Sequence, residues 1–164
     1  MFWHMVVQMP LLVLAGWLTM SAWPRSATHS FMAPWNIYGL NGFFLTLVIL
    51  TYWMLPSAID RAVVLPHADA LKLVTLFVAG ALSKNAIDQS PTVLQLFFLA
   101  LTVSMLIWLG FYFLTTELRL CNAYSLASQI STGWGLIGLG IASGCAWLLT
   151  VYVQLSSSGQ LRQP

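Results

Sequence analysis

The chain has 164 residues, of which only ten carry a formal charge: six are Lys or Arg and four are Asp or Glu. Charged residues make up 6% of the chain, against roughly 25% in an average soluble domain, and hydrophobic residues make up 59%. These values exclude a soluble enzyme domain. The net charge of +2, without a basic cluster, excludes nucleic acid as a partner, and two cysteines are too few for a disulfide scaffold. The composition predicts an all-α polytopic membrane protein, folded as a transmembrane helical bundle.

Five apolar segments that are long enough to cross a bilayer follow one another along the chain. Trp3 and Trp23 flank the first segment, and their spacing equals ~30 Å of helix, which matches the hydrocarbon thickness. A signal peptide is the competing interpretation, but residues 1–10 contain neither Lys nor Arg. We therefore expect one membrane domain over residues 1–155 and a polar tail over 156–164. Its spans are predicted at about 3–23, 37–55, 70–87, 92–115 and 132–155.

The region around the third span is the most polar part of the chain. Lys72 and Lys84 bracket a short apolar centre, and we expect the two lysines to extend to opposite membrane interfaces. Just before this span, Ser57 and Asp60 have the spacing of a capping box. That pattern predicts a short interfacial helix between the second and third spans.

An odd number of spans places three segments on one side of the membrane, namely the N-terminus, residues 57–71 and residues 116–131. We call this side the N-terminal face. The six Lys and Arg residues divide three against three between the two faces, so charge leaves the membrane orientation open. The side chains with metal-binding or acid–base chemistry concentrate on the N-terminal face: His4, Met5, Met9, Asp60, His67, Asp69, Glu117 and Cys121.

The start of the first span carries a candidate metal site. His4, Met5, Gln8 and Met9 share one side of about 140° on a helix. Imidazole and thioether groups are ligands that suit Cu(I). The alternative is that methionines fill gaps between helices and that His4 is an interfacial polar residue.

Two further candidates for the same metal site are His67 and Cys121. His67 stands near Asp69, a carboxylate that can orient a metal-bound His. Asp69 is equally explained by a helix that starts at Pro66 and carries an Asp69–Lys72 pair. Cys121 is either a soft ligand or an inert thiol, and its place in a loop separates it from Cys145, deep in the fifth span.

The fifth span contains a stripe of small residues, Gly133, Gly140 and Gly144. Small residues let helices approach closely in lipid, so this stripe predicts packing against a neighbouring helix. The sequence leaves open whether that helix belongs to this chain or to another subunit.

Several kinds of function lack the residues that they need. The spans have no ionisable residue near their centres, which argues against a pump or proton-coupled transporter. All three histidines lie near span ends, and no nucleotide-binding or catalytic motif is present. We therefore expect a protein that is not an enzyme and that binds neither haem nor a nucleotide.

Three stretches together resemble a known family: HMVVQMPLLVLAGW (4–17), NGFFLTLVILTYWMLPSAIDRAV (41–63) and ELRLCNAYSLASQ (117–129). They are similar to bacterial membrane proteins related to the CtaG-type cytochrome c oxidase assembly factors. The resemblance implies a multi-span helical protein of the bacterial inner membrane that is linked to copper delivery. The chain has fewer spans than the larger family members. It has Gln8 where a second His is expected, and Ser128 where an acid is expected.

The resemblance also implies which positions carry the family pattern. Besides His4, these are Gln8, Trp53, Pro56, Asp60, Arg119, Cys121, Asn122 and Gln129. The expected function is to assist the assembly or copper loading of a copper-containing respiratory enzyme such as a cytochrome c oxidase. The alternative is a structural accessory subunit without a metal of its own. Either role implies membrane lipids and other membrane subunits as partners.

Overall fold

The computed structural model describes residues 1–24, 36–116 and 125–160, which form an all-helical bundle. Five of its helices are long and apolar enough to cross a membrane, so the fold is that of a multi-pass membrane protein. The predictions of helical class and span number are confirmed. In chain order, the helices are α1 (Trp3–Ala22), α2 (Leu40–Met54), α3 (Pro56–Val64), α4 (Pro66–Gln89), α5 (Thr92–Thr115) and α6 (Leu126–Gln160).

Helix α1 changes its winding near Pro10. Residues Trp3–Gln8 form a π-helix, and Met9–Ala22 continue it as an α-helix. Pro10 has no backbone N–H, and a proline ring crowds the carbonyl four residues before it. The preceding turn widens accordingly, and the Met9 N–H donates to the carbonyl of His4, five residues back.

The predicted interfacial helix is present as α3. Single extended residues, Leu55 and Leu65, join it to α2 and α4. Pro56 is its first residue, where a missing N–H has no cost, because the first N–H groups of a helix have no partner within it. The predicted capping box is wrong: Leu55 occupies the cap position without a side-chain hydrogen bond, and Ser57 lies within the first turn.

Helix α4 is the centre of the first half of the bundle, because α1, α2 and α3 all pack on it. The contact with α1 is made through Gly16 and Gly80. A Cβ on Gly16 would lie 1.9 Å from the carbonyl oxygen of Phe77, and one on Gly80 would lie 2.0 Å from that of Val13. Each glycine thus faces a backbone carbonyl of the other helix, which only a residue without a side chain permits.

Helices α5 and α6 form a hairpin that completes the bundle. A Cβ on Gly133 would lie 2.8 Å from the carbonyl oxygen of Gly110. Gly140 and Gly144 also face α5, at ordinary contact distance. The predicted glycine stripe therefore packs on a helix of the same chain, which answers the question that the sequence left open.

Contacts between the helix ends show that successive spans run in opposite directions, as five consecutive membrane crossings require. Near the start of α4, Trp53 of α2 donates its indole N–H to the Thr75 hydroxyl at 2.8 Å. Near the far end of α4, the Asn36 amide that precedes α2 donates to Asn85 at 2.8 Å. The start of α1 packs against the third turn of α6, where a Cβ on Gly135 would lie 2.7 Å from Val6. The starts of α1, α4 and α6 therefore lie on one side, which is the N-terminal face.

The third span is longer than predicted, because α4 begins four residues before residue 70 and ends two residues after residue 87. Lys84 pairs with Asp88 and lies 5.9 Å from the ring centre of Trp17. The Lys72 side chain is only 3% exposed, and its ammonium group lies 2.6 Å from Asp69 in the first turn of α4. That the two lysines extend to opposite interfaces stays a prediction. The prediction of an Asp69–Lys72 pair is confirmed.

Candidate metal centre

The imidazole of His4 is held by Gln8, one turn further along α1. The His4 Nδ1 and the Gln8 Oε1 are 2.5 Å apart, and both side chains are half-buried. Gln8 therefore holds the imidazole ring in place, as hydrogen bonds at one ring nitrogen do for histidines that bind a metal.

Met5 and Met9 of α1, together with Met1 just before that helix, lie in the core beside this pair. Met5 is fully buried, and Met1 and Met9 are 6% and 4% exposed. Their spacing of four residues places all three on one side of the helix. Met54 at the end of α2 belongs to the same core cluster, and Met105 of α5 packs against it. We call these five residues the methionine cluster.

The other residues of this core are apolar and come from the remaining five helices of the bundle, α2 to α6. They include Trp53, Ile59, Leu76, Leu106, Phe113 and Leu136, all of them buried. Lys72 of α4, one turn before Leu76, is buried as well. The methionine cluster is thus part of a core to which all six helices contribute apolar side chains.

The structure does not bring all of the predicted metal ligands together. His67 is exposed on the first turn of α4, outside the core that holds Met5 and Met9. Cys121 lies outside the described residues. Within residues 1–24, 36–116 and 125–160, no three His, Cys, Asp or Glu side chains are grouped so that they could hold a metal ion. A metal role for His4, Met5, Met9 and His67 stays a prediction.

Several residues of the family-like pattern lie within the described part of the chain, and the structure shows what they contact there. Gln129 is buried and donates to the carbonyls of Phe113 and Thr116, at 3.3 and 3.2 Å, which fastens the start of α6 to the end of α5. Pro56 begins α3, and Asp60 is half-buried on that helix. Arg119 and Asn122 lie outside the described residues.

Sequence reasoning missed the contributions of Met1, Met54 and Met105 to the cluster. The signal was present but weak. The chain has seven methionines, Met32 lies outside the described residues, and five of the other six belong to the methionine cluster. Only the packing of α1, α2 and α5 shows that these sulfurs share one core.

The fold defines the class of this protein as a multi-pass helical membrane protein, on the evidence of its five long apolar helices. No family model, curated protein or solved structure matches the chain.

Proposed function

We propose that this protein assists the assembly or copper loading of a copper-containing respiratory enzyme in the bacterial inner membrane. It acts without catalysing a reaction of its own, through contacts with other membrane subunits and with lipids. Copper is the ion that the side chains of the N-terminal face suit best, because imidazole and thioether groups are ligands for Cu(I).

The observation that carries this proposal is the His4–Gln8 pair at the start of α1. The His4 Nδ1 and the Gln8 Oε1 lie 2.5 Å apart, so the imidazole is held at the start of the span. His4 is half-buried within the first turns of a membrane span, next to the buried Met5. A ligand in this position can receive an ion at the membrane boundary and pass it towards the core.

A second candidate function is that of a structural accessory subunit. The observation in its favour is a second row of small residues on α6, formed by Gly138, Ala142 and Ala146, none of them buried. A Cβ on Gly138 would meet nothing within 4 Å. A transmembrane helix of another subunit can approach closely along such a row.

The test compares His4→Ala with His67→Ala in cells that lack the wild-type gene and carry each variant. Both histidines lie near the N-terminal face, but only His4 adjoins the methionine cluster. The copper content and activity of the terminal oxidase are measured. We expect His4→Ala to lower the copper content of the oxidase while His67→Ala leaves it unchanged.

Equal copper content in both variants and in cells without the gene would contradict the proposal. If the protein then co-purifies with a membrane complex in fixed stoichiometry, the accessory role is favoured. In that case Gly138→Ile should reduce co-purification, because the branched side chain fills the open row on α6.

A further inference from the structure

We propose that the protein holds the acyl chain of a bilayer phospholipid in a groove between the starts of α2 and α5, on the side opposite the N-terminal face. The groove has a volume of about 470 Å³, within the range of small-molecule sites in proteins. The described residues that line it are Tyr38, Leu40, Pro91, Val93, Leu94 and Phe97. The inference goes beyond the proposed function and does not depend on it, because it needs only the membrane class of the fold.

The first argument is the backbone conformation of Tyr38. Its φ is 54°, and within the described parts of the chain it is the one non-glycine residue with a positive φ. A bulky residue rarely adopts this conformation, and residues that are held in it cluster at ligand-binding sites. The conformation is maintained from Asn36, whose side-chain oxygen accepts the Gly42 N–H at 2.9 Å and whose amide donates to the buried Asn85 at 2.8 Å. The fold thus sustains a strained turn that brings Tyr38 to the groove.

The second argument is the position of the groove on the surface that faces lipid. Its lining residues lie in or next to two candidate spans, Ile37–Met54 and Thr92–Thr115, so the groove is continuous with the membrane-facing surface of both helices. None of the described residues that line it is charged. Tyrosine is typical of the membrane boundary, where its ring contacts apolar groups and its hydroxyl contacts polar ones. These features fit a hydrocarbon chain that enters the groove just below its headgroup.

The third argument is the length of the groove, which favours a lipid chain over a helix of another protein. On α5 the groove extends from Pro91 to Phe97, or ~9 Å by helical rise. Further into the membrane the two helices meet, since the rings of Phe43 and Phe98 stack with their centres 4.5 Å apart. A transmembrane helix is about 10 Å wide and spans ~30 Å of hydrocarbon, so this groove accommodates only a small part of it. A flexible acyl chain fits the available space.

The experiment uses the purified full-length protein in phosphatidylethanolamine nanodiscs that contain a trace of the same lipid with a diazirine near the carboxyl end of one acyl chain. After irradiation, mass spectrometry locates the labelled residues. We expect the label in the wild type to concentrate at residues 38–40 and 91–97, above the level at Leu18, which is 64% exposed near the same side of the membrane. The variant Leu94→Trp fills the groove and should lose this label. The matched control Leu101→Trp, exposed on α5 outside the groove, should keep it.

A second variant, Tyr38→Gly, separates lipid binding from folding. Glycine adopts a positive φ without strain, so the unfolding temperature of this variant in detergent should stay the same or rise. The label in the groove should nevertheless be lost, because the ring that lines one side of it is absent. A tyrosine with a structural role alone would leave the label unchanged, which would count against the proposal.

Three further results would overturn the proposal: groove residues labelled no more than Leu18 in the wild type, equal losses in Leu94→Trp and Leu101→Trp, or cross-links at the groove to a second copy of the chain. If Leu94→Trp fails to fold, Val93→Trp fills the groove from a position that is 79% exposed. The copper content of the oxidase in cells is a separate measurement, so the lipid site and the proposed function stand or fall independently.

Discussion

The two partners of the Asp69–Lys72 ion pair have unequal surroundings. The Lys72 side chain is 3% exposed, whereas that of Asp69 is 42% exposed. Water can therefore solvate Asp69 if its partner is removed, but it cannot reach the lysine. Leaving a buried charge without its partner lowers the free energy of unfolding by more than the ion pair contributes to it. Replacing the buried member by an apolar group of similar size changes this free energy little.

Asp69→Ala should accordingly lower the free energy of unfolding by about 2 kcal/mol, because it leaves the Lys72 ammonium buried without its carboxylate. Lys72→Met should change it by less than about 1 kcal/mol, since it removes the buried charge itself. The measurement is equilibrium unfolding in mixed detergent micelles. Asp88→Ala serves as the control for an exposed carboxylate, with an expected cost under about 1 kcal/mol.

The pair itself was predictable from the sequence, because its members are three positions apart on a helix. The burial of Lys72 was not predictable, since it depends on how the other helices pack around α4. The same limit applies to Gln129. Its position was singled out by the resemblance, but its hydrogen bonds to the end of α5 follow from the hairpin geometry.

At the scale of the elements, the crossing of α1 and α4 brings two helix backbones close together at two glycines. A Cβ on Gly16 or on Gly80 would lie 1.9 or 2.0 Å from a carbonyl oxygen of the other helix. Carbonyl groups belong to the backbone and cannot rotate away as a side chain can. Any side chain at either position must therefore push the two helices apart.

Gly80→Ala should destabilise the protein by about 3 kcal/mol, because the added methyl group overlaps the Val13 carbonyl. The matched control is Gly138→Ala on α6, where the new methyl group meets nothing within 4 Å. This control should be neutral or stabilising by up to about 1 kcal/mol, owing to the higher helix propensity of alanine. Thermal unfolding in detergent compares the two, and equal effects would contradict the helix crossing described here.

Long apolar segments made the elements largely predictable. The five spans appear at the expected places, with ends that differ by a few residues, because apolar length dominates the signal. The capping box failed because Pro56 starts α3 two residues earlier than the Ser57–Asp60 pattern requires. The π-winding of α1 went unforeseen, since it arises from a local conflict between Pro10 and the preceding turn.

At the scale of the whole molecule, the order of the spans fixes which segments share a side of the membrane. Ser57 and Ser125 lie at the N-terminal face and Thr92 at the opposite one, all three exposed. In a background with Cys121→Ser and Cys145→Ser, a membrane-impermeant thiol reagent should label Ser57→Cys and Ser125→Cys from the same side. Thr92→Cys should react only from the other side, and labelling of all three from one side would refute the five-span topology.

The five residues of the methionine cluster belong to one hydrophobic core only in the folded molecule, and this is why the sequence revealed only part of the cluster. The spacing of four residues connected Met5 and Met9 within α1. No pattern along the chain connects them to Met54 or Met105, which are 45 and more residues away and join them only in the folded core. The sequence also places His67 on the N-terminal face, but its side chain is exposed and lies outside the core.

The most direct test of copper handling by this protein is the X-ray absorption spectrum, at the copper K-edge, of the Cu(I)-loaded wild-type protein in detergent. The account predicts a first coordination shell that includes a nitrogen of His4. The shell should lose nitrogen in His4→Ala and stay unchanged in His67→Ala. A shell that is the same in the wild type and in His4→Ala would contradict it.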